Sequence, residues 1–428
     1  MLASLLCSRS APANGRFPAS SAVVLAPADP NLVLASATFG LLVSRDAGRT
    51  WAWVCEKSVG FVGVEDPAYV IGGDGSIAAG TFQGVHISRD LGCSWSIAPS
   101  VGDRVVVDLA ARPGNAQDFV VLASAFDHMS DAADLLFRST LFESTDGGRT
   151  FIVLGKDLDP TLLSYSVELA TSDPKRMYVS AASGVGTAPV GALLFSTDHG
   201  KTFGRTNIPL LGSERQPYIA GVDARDANRV YLRTSNAPDA PTRVLVSDDG
   251  GKSFRTVLTS KGALLGFALS PDGSKVYAGG PRDGLLVART DDFAFRKTSG
   301  VQVQCLTATK DLIWVCSNEA SGFVLATSTD EGEHFDGKLH LEDLSGPLVC
   351  PESSTTTREC PKDWPETRRL LGARKETPDA RPVAEPVATK VGLEARPQGS
   401  GRLFIIAIAA VAAIGIAALG LRRVWRKR

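Results

Sequence analysis

Short apolar or alternating runs recur along this chain, and each is followed by the same polar turn pattern. The runs include GLLVS, GVHIS, TLFES, ALLFS and RVLVS, and their composition predicts β-strands that end at a turn. The turn pattern is Ser-x-Asp-x-Gly-x-Thr followed by an aromatic residue, first seen as SRDAGRTW at Ser44–Trp51. A degenerate copy, RTDDFAF, occupies Arg289–Phe295, and the last copy, STDEGEHF, occupies Ser328–Phe335.

The residue types of this pattern suit a hairpin turn. An Asp carboxylate can accept hydrogen bonds from the N–H groups that follow it, and Gly permits a positive φ. The closing aromatic side chain is large enough to fill the space between neighbouring sheets. We therefore predict a structural role for the aspartates, in preference to a catalytic or metal-binding one. They are Asp46, Asp90, Asp146, Asp198, Asp249 and Asp330.

A second recurring segment, a turn followed by a strand, precedes each turn pattern, as in DPNLVLASA and DANRVYLRT. Most copies have one more apolar strand upstream, which gives four strands per repeat. Strand repeats spaced by roughly 40 to 55 residues are typical of propellers. We predict an all-β fold, a seven-bladed β-propeller over residues 14–345, followed by a flexible stalk and one C-terminal transmembrane helix. The four strands of each blade are contiguous, so we expect no strand exchange between the first and last blades.

The turn pattern resembles the Asp-box, or bacterial neuraminidase repeat. This repeat is found in sialidases, sortilin-type receptors, xyloglucanase-type glycoside hydrolases and the propellers of photosystem II assembly factors. The resemblance covers roughly three quarters of the chain, and it implies a propeller without specifying an activity. In those families the repeat lies on blade turns away from the ligand face, which implies the same placement here.

Composition and charge exclude several classes of function. The chain has 428 residues and a net charge of −1, which does not fit a nucleic-acid binder with a clustered basic face. The five His residues are scattered and no Cys-x-x-Cys pair occurs, so we predict neither a zinc site nor a cofactor.

The two ends of the chain predict export and membrane attachment. Residues 1–13 are interpreted as a truncated signal peptide, and residues 373–402 as a Pro-rich stalk. The uncharged segment Leu403–Leu421 is long enough to cross a bilayer as a helix. The basic tail, residues 422–428, favours the cytoplasmic side, which places the propeller on the extracytoplasmic side of an envelope membrane. A permanent anchor and a sorting tag that is later removed both fit this pattern.

Six cysteines follow the predicted signal segment and favour three disulfides in an oxidising compartment. Cys55 and Cys93 are expected to meet between adjacent blades. Cys305 and Cys316 lie on consecutive strands of the last blade. Cys350 and Cys360 bracket a short loop, which suggests a small disulfide-closed segment over residues 346–372.

Function is expected on the loops opposite the repeated turns. Long connections there contain Asp66, Asp127 and Asp131, three candidates for the carboxylates of a glycoside hydrolase. No spacing selects a catalytic pair, and no Tyr–Glu pair of the kind that sialidases use stands out. The favoured hypothesis is therefore a binding or assembly scaffold for an unidentified protein or glycan. A glycoside hydrolase is the alternative, and a purely structural envelope protein is a third interpretation.

Overall fold

The structure, a computed structural model, describes residues 18–62, 65–112, 117–131, 134–184 and 189–372. The predicted signal segment, stalk, transmembrane helix and basic tail lie outside these ranges. Within them, no helix has the length and apolar character needed to cross a bilayer.

The described residues form seven antiparallel sheets of four strands each, and every sheet uses four strands that are consecutive in the chain. Blades 1 and 2 comprise β1 (Ser20–Leu25), β2 (Val33–Ala37), β3 (Gly40–Ser44), β4 (Ala52–Val54), β5 (Ala68–Ile71), β6 (Ile77–Thr81), β7 (Gly84–Ser88) and β8 (Ser96–Ile97). Blades 3 and 4 comprise β9 (Val106–Ala111), β10 (Phe119–Met129), β11 (Leu135–Ser144), β12 (Ile152–Val153), β13 (Leu163–Leu169), β14 (Met177–Ser183), β15 (Val190–Ser196) and β16 (Gly204–Ile208).

Blades 5 and 6 comprise β17 (Pro217–Val222), β18 (Val230–Thr234), β19 (Arg243–Ser247), β20 (Arg255–Thr259), β21 (Gly266–Leu269), β22 (Lys275–Gly280), β23 (Gly284–Arg289) and β24 (Arg296–Ser299). Blade 7 comprises β25 (Cys305–Ala308), β26 (Ile313–Cys316), β27 (Leu325–Ser328) and β28 (Asp336–Leu339). Two helices, α1 (Glu56–Val59) and α2 (Thr355–Leu371), and two 3-10 turns, Glu319–Ser321 and Leu341–Asp343, complete the described structure.

The blades are arranged in a closed ring. The first strand of each blade contacts the first strand of the next, and β25 of blade 7 contacts β1 of blade 1. Side-chain hydrogen bonds join these two blades, from Thr307 Oγ1 to the Val23 carbonyl at 3.0 Å and from Ser20 Oγ to the Val324 carbonyl at 3.1 Å. The predicted seven-bladed propeller is therefore confirmed, and no strand is exchanged where the described ring closes.

Hydrophobic clusters fill the spaces between neighbouring blades. Each closing aromatic of the repeated turn belongs to the cluster that its blade shares with the preceding one. Trp51, for example, lies between blades 1 and 7, where its indole N–H donates to the Lys338 carbonyl at 2.9 Å. The predicted role of these aromatic residues in inter-blade packing is confirmed.

After blade 7 the chain continues across the outer edge of blade 1, in a segment that we call the clasp (residues 344–372). The Trp53 N–H donates to the Gly346 carbonyl at 2.8 Å, and the Leu348 N–H donates to the Trp53 carbonyl at 2.8 Å. Helix α2 then packs on α1 through a Ser58–Thr356 hydroxyl contact of 2.7 Å and a Lys57–Asp363 ion pair of 2.9 Å.

The disulfides correct two of the three expected pairings. Cys55 bonds to Cys360 and Cys93 bonds to Cys350, so both join the clasp to blades 1 and 2. The expected Cys55–Cys93 and Cys350–Cys360 pairs are wrong, because the clasp lies against both blades: the Thr356 hydroxyl contacts Ser58 Oγ at 2.7 Å and donates to the Gly92 carbonyl at 2.8 Å. The Cys305–Cys316 pair is present as expected on adjacent strands of blade 7.

Candidate functional site

The propeller has two faces with different chemistry. The repeat-turn face carries the turns between strands three and four of each blade, together with those between strands one and two. Backbone bonds link the two turn types, as from the Ala47 N–H to the Asn31 carbonyl at 2.9 Å. The connecting-loop face carries the connections between blades and the turns between strands two and three.

On the repeat-turn face, the aspartates are used by the turns themselves. Asp46 Oδ1 accepts the N–H groups of Arg49 and Thr50 at 3.0 and 2.8 Å, and Ser44 Oγ accepts the Gly48 N–H at 2.8 Å. Bonds of the same kind recur at the other turns whose aspartates the sequence singles out, at Asp90, Asp146, Asp198, Asp249 and Asp330.

These hydrogen bonds also favour the ionised carboxylates. At Asp198, bonds from the Thr202 hydroxyl and N–H and from the Ser196 hydroxyl lower the carboxyl pKa to about 2. The Ser253 hydroxyl similarly lowers the pKa of Asp249. A carboxylate held ionised by its own turn is poorly suited to general acid catalysis, which needs a proton near neutral pH.

The three carboxylates that the sequence suggested for catalysis lie in two regions of the connecting-loop face, one between blades 1 and 2 and one on the β10–β11 hairpin. Asp66 is in the connection between β4 and β5 and is only 2% exposed. Asp127 lies on β10, where its carboxylate contacts Arg138 at 3.2 Å and His128 Nδ1 at 2.9 Å. Asp131 is exposed at the tip between β10 and β11. The chemistry of a two-carboxylate hydrolase would need the two groups on opposite sides of one substrate bond.

Sequence reasoning missed a buried acidic site beside Asp66. Glu65 Oε2 accepts the Phe82 N–H at 2.6 Å, and burial, reinforced by the charges of Glu56 and Asp66, raises the pKa of Glu65 to about 7. Burial and the same carboxylates raise the pKa of Tyr69, whose ring meets that of Trp95 edge-on. The adjacent acids Glu65 and Asp66 were the available sequence signal, but burial could not be inferred from it.

Exposed apolar side chains lie on the connecting-loop face at blades 3 and 4. Phe126 and Met129, on the far end of β10, are 44% and 55% exposed. Val190 at the start of β15 and Leu211 in the connection to blade 5 are exposed on the same face. The segment Ser124–Thr140, which the sequence suggests is a loop, is instead mostly an extended hairpin of β10 and β11.

A shallow pocket of about 380 Å³ opens on this face between blades 6 and 7. Gln302, Ser321 and Phe323 are among its lining residues, and the Gln302 carboxamide oxygen accepts a hydrogen bond from Asn318 at 2.8 Å. An aromatic wall with amide and hydroxyl groups at its edge can contact a small polar ligand. Among the residues that the structure describes, no three His, Cys, Asp or Glu side chains are arranged to hold a metal ion.

Neither a protein-family profile nor a curated protein sequence matches this chain. Among solved structures, it is similar to an ancestral GH74 enzyme, with a TM-score of 0.54, 16% identity, and coverage of 75% of this chain and 46% of that one. This chain thus spans less than half of that enzyme. The chain is a seven-bladed β-propeller.

Two further solved structures are similar over most of their own length. One is YCF48 bound to D1 peptide, with a TM-score of 0.45, 13% identity, and coverage of 70% of this chain and 89% of that one. The other is Saccharomyces cerevisiae Sqt1, with a TM-score of 0.48, 13% identity, and coverage of 75% and 85%. At 16% identity the likeness to the GH74 enzyme concerns the fold alone, because propellers of one shape serve many functions.

Proposed function

We propose that this propeller is an exported, membrane-anchored scaffold that binds a protein or glycan partner through its connecting-loop face. The observation that carries the proposal is the contrast between the two faces. The carboxylates of the repeat-turn face are used in the hydrogen bonds of their own turns. The connecting-loop face instead combines the longest hairpin with exposed apolar side chains. Binding residues are commonly carried by loops on a rigid scaffold.

Two further observations support the location and the repeat assignment. Three disulfides favour an oxidising, extracytoplasmic compartment, and Leu403–Leu421 with its basic tail supplies a suitable anchor. The Ser–Asp–Gly hydrogen-bond pattern of the repeated turns supports their assignment as Asp-box repeats. A propeller held close to a membrane by a stalk would present one face to a neighbouring protein or glycan.

Site-specific photo-cross-linking tests this proposal in the intact protein. A benzophenone amino acid is placed at Val190, Leu211 or Lys261 on the connecting-loop face. Matched exposed positions on the repeat-turn face are Arg49, Lys201 and Lys252. We expect discrete adducts from the first set only. Adducts confined to the repeat-turn positions, or no adducts from the connecting-loop positions, would contradict the proposal.

A glycoside hydrolase is a second candidate, and the raised pKa of Glu65 favours it. A carboxyl group with a pKa of about 7 can be protonated at neutral pH and serve as a general acid. Against it, Asp66 beside it is buried, whereas a catalytic carboxylate must reach its substrate. A panel of glycosides and sialosides separates the two candidates. Turnover that is lost in Glu65→Gln or Asp66→Asn, and kept in Asp127→Asn, would establish the hydrolase.

A further inference from the structure

The hairpin of blade 3 extends beyond its sheet. Strands β10 and β11 have 11 and 10 residues, whereas the equivalent strands of blade 2 have 5 each. Pairing of β10 with β9 ends at Ala123, but the β10–β11 ladder continues to Met129 opposite Leu135. The residues beyond Ser124 therefore form a two-stranded projection, which we call the ribbon (residues 125–131 and 134–138).

One side of the ribbon is anchored on the propeller. Phe137 is buried with Leu163 and Tyr165 of blade 4 and Tyr218 of blade 5, and Leu135 packs against this cluster. A two-stranded hairpin is only marginally stable alone, so these contacts explain why the ribbon is ordered. They also fix its position over the inner strands of blades 4 and 5.

On the same side, strand β10 leaves apolar surface uncovered, because Phe126 and Met129 are paired with Phe137 and Leu135 and therefore share their side of the ribbon. Phe126 touches Phe137 edge-on, with ring centroids 6.4 Å apart, yet remains 44% exposed, and Met129 is 55% exposed. Large apolar side chains on a projecting, rigidly held element are typical of a contact surface. Strand β9 pairs with β10 only as far as Ala123. Beyond Ser124, this edge of β10 has no pairing with β9, and an extended chain can add to it as a further strand.

Charge indicates the partner's chemistry. The ribbon carries three carboxylates, at Asp127, Asp131 and Asp134, against one guanidinium, at Arg138. Asp131 and Asp134 are exposed, whereas Asp127 contacts Arg138. An acidic rim around an apolar centre complements an apolar segment flanked by basic residues. It would be repelled by the anionic surface of a membrane, and by the same ribbon of a second copy.

We infer that the ribbon captures an extended, apolar segment of a partner protein that is flanked by lysine or arginine. Phe126 and Met129 supply the apolar contact, and Asp131 and Asp134 supply the charge preference. This inference rests on the proposed function, because it assigns the partner class and the position of capture on the connecting-loop face.

Peptide binding to the purified full-length protein, solubilised with its disulfides intact, tests this inference. The probes are two fluorescein-labelled ten-residue peptides that share one apolar centre and differ in having two Lys or two Glu at each end. Fluorescence anisotropy reports binding. The Phe126→Ser/Met129→Ser double variant removes the apolar contact. The matched control is Ile152→Ser/Val153→Ser, on β12 of the same blade, where the two side chains are 65% and 54% exposed.

We expect the Lys-flanked peptide to bind and the Glu-flanked peptide to bind much more weakly. The Phe126/Met129 double variant should weaken the first complex about tenfold or more, while the control double variant leaves it unchanged. Asp131→Lys/Asp134→Lys alters only exposed groups, so its folding is not at risk, and it should reverse the charge preference. Equal binding of both peptides, equal loss in the control, or an unchanged preference after charge reversal would overturn the inference.

Failure of the ribbon inference can be distinguished from failure of the proposed function of the connecting-loop face. If adducts still form from Val190, Leu211 and Lys261 while the Phe126/Met129 variant binds the peptide normally, the ribbon inference fails and the proposed function stands. If the connecting-loop positions give no adducts, the proposed function itself fails. Concentration-dependent self-association that Phe126→Ser/Met129→Ser abolishes would identify a second copy as the occupant and overturn the peptide inference.

Discussion

At the scale of single residues, the repeated turn combines a carboxylate cap with unusual backbone geometry. The sequence predicts the cap and the positive φ of the glycine, which is 83° at Gly48. It does not predict that the preceding residue is also left-handed, as at Ala47 (φ 61°), Leu91 (φ 59°) and His199 (φ 65°). Non-glycine residues rarely adopt this conformation, so hydrogen bonds of the turn must compensate for its cost. Only the two Gly-Gly copies signal it, with Gly147 (φ 70°) and Gly250 (φ 78°) at that position.

The low carboxyl pKa values predict acid sensitivity. Unfolded aspartates titrate near a pKa of ~3.9, whereas hydrogen bonds from the Thr202 and Ser196 groups hold Asp198 at about 2. Because the folded pKa is the lower one, this stabilisation is complete above about pH 4 and is lost as the pH falls toward about 2. Melting temperature should fall over that window. Asp198→Asn should make the melting temperature less dependent on pH over this window. Asp131→Asn, which lies outside the repeated turns, should leave the pH dependence unchanged.

The closing aromatics predict a graded loss of stability. Trp51 is buried between blades 1 and 7 and donates to the Lys338 carbonyl, so Trp51→Ala removes both packing and a hydrogen bond. We expect a loss of about 3–5 kcal/mol. Phe254→Ala is the matched comparison, and should cost less because Phe254 is only partly buried. Thermal unfolding, monitored by circular dichroism, checks that Trp51→Ala loses more stability than Phe254→Ala. Equal melting temperatures for the wild type and Trp51→Ala would be incompatible with inter-blade packing of Trp51.

At the scale of elements, the clasp and its disulfide partners are the features that could not be predicted from the sequence. Strand and turn patterns in the blades are local, and their assignment needs only neighbouring residues. The disulfide partners Cys55 and Cys360 are 305 residues apart, and Cys93 and Cys350 are 257 apart. Proximity in sequence therefore favoured the wrong pairs. Helix α2 buries Trp364 and Leu371, whereas Leu370 remains largely exposed.

The clasp disulfides should stabilise the protein more than the local one. In the chain-entropy view, a disulfide that closes a loop of ~100 residues contributes about 4.7 kcal/mol, and one that closes ~15 residues about 3 kcal/mol. Cys93→Ser/Cys350→Ser should therefore lower the melting temperature more than Cys305→Ser/Cys316→Ser, whose cysteines are 11 residues apart. Differential scanning calorimetry of the two double variants makes the comparison. A larger effect at the blade 7 pair would contradict this ranking.

At the scale of the whole molecule, the ring could be predicted because the same turn pattern occurs seven times, so one irregular copy does not hide the repeat. Even the degenerate Arg289–Phe295 turn connects β23 to β24 in its expected place. The candidate site could not be predicted in the same way. Asp66, Asp127 and Asp131 stand out by residue type, but burial, the β10–β11 projection and the ion pair of Asp127 depend on how separate blades pack.

The central claim is that one face maintains the fold while the other binds. The most direct measurement records melting temperature and photo-cross-linked adduct yield for the same variants, with the reporter fixed at Lys261. We expect Ser44→Ala and Asp198→Asn to lower the melting temperature. At temperatures where these variants are still folded, their adduct yield should be close to that of the wild type. Val190→Ser and Leu211→Ser should lower adduct yield and leave melting unchanged. Adduct yield that simply follows melting temperature across both sets would contradict the division between the two faces.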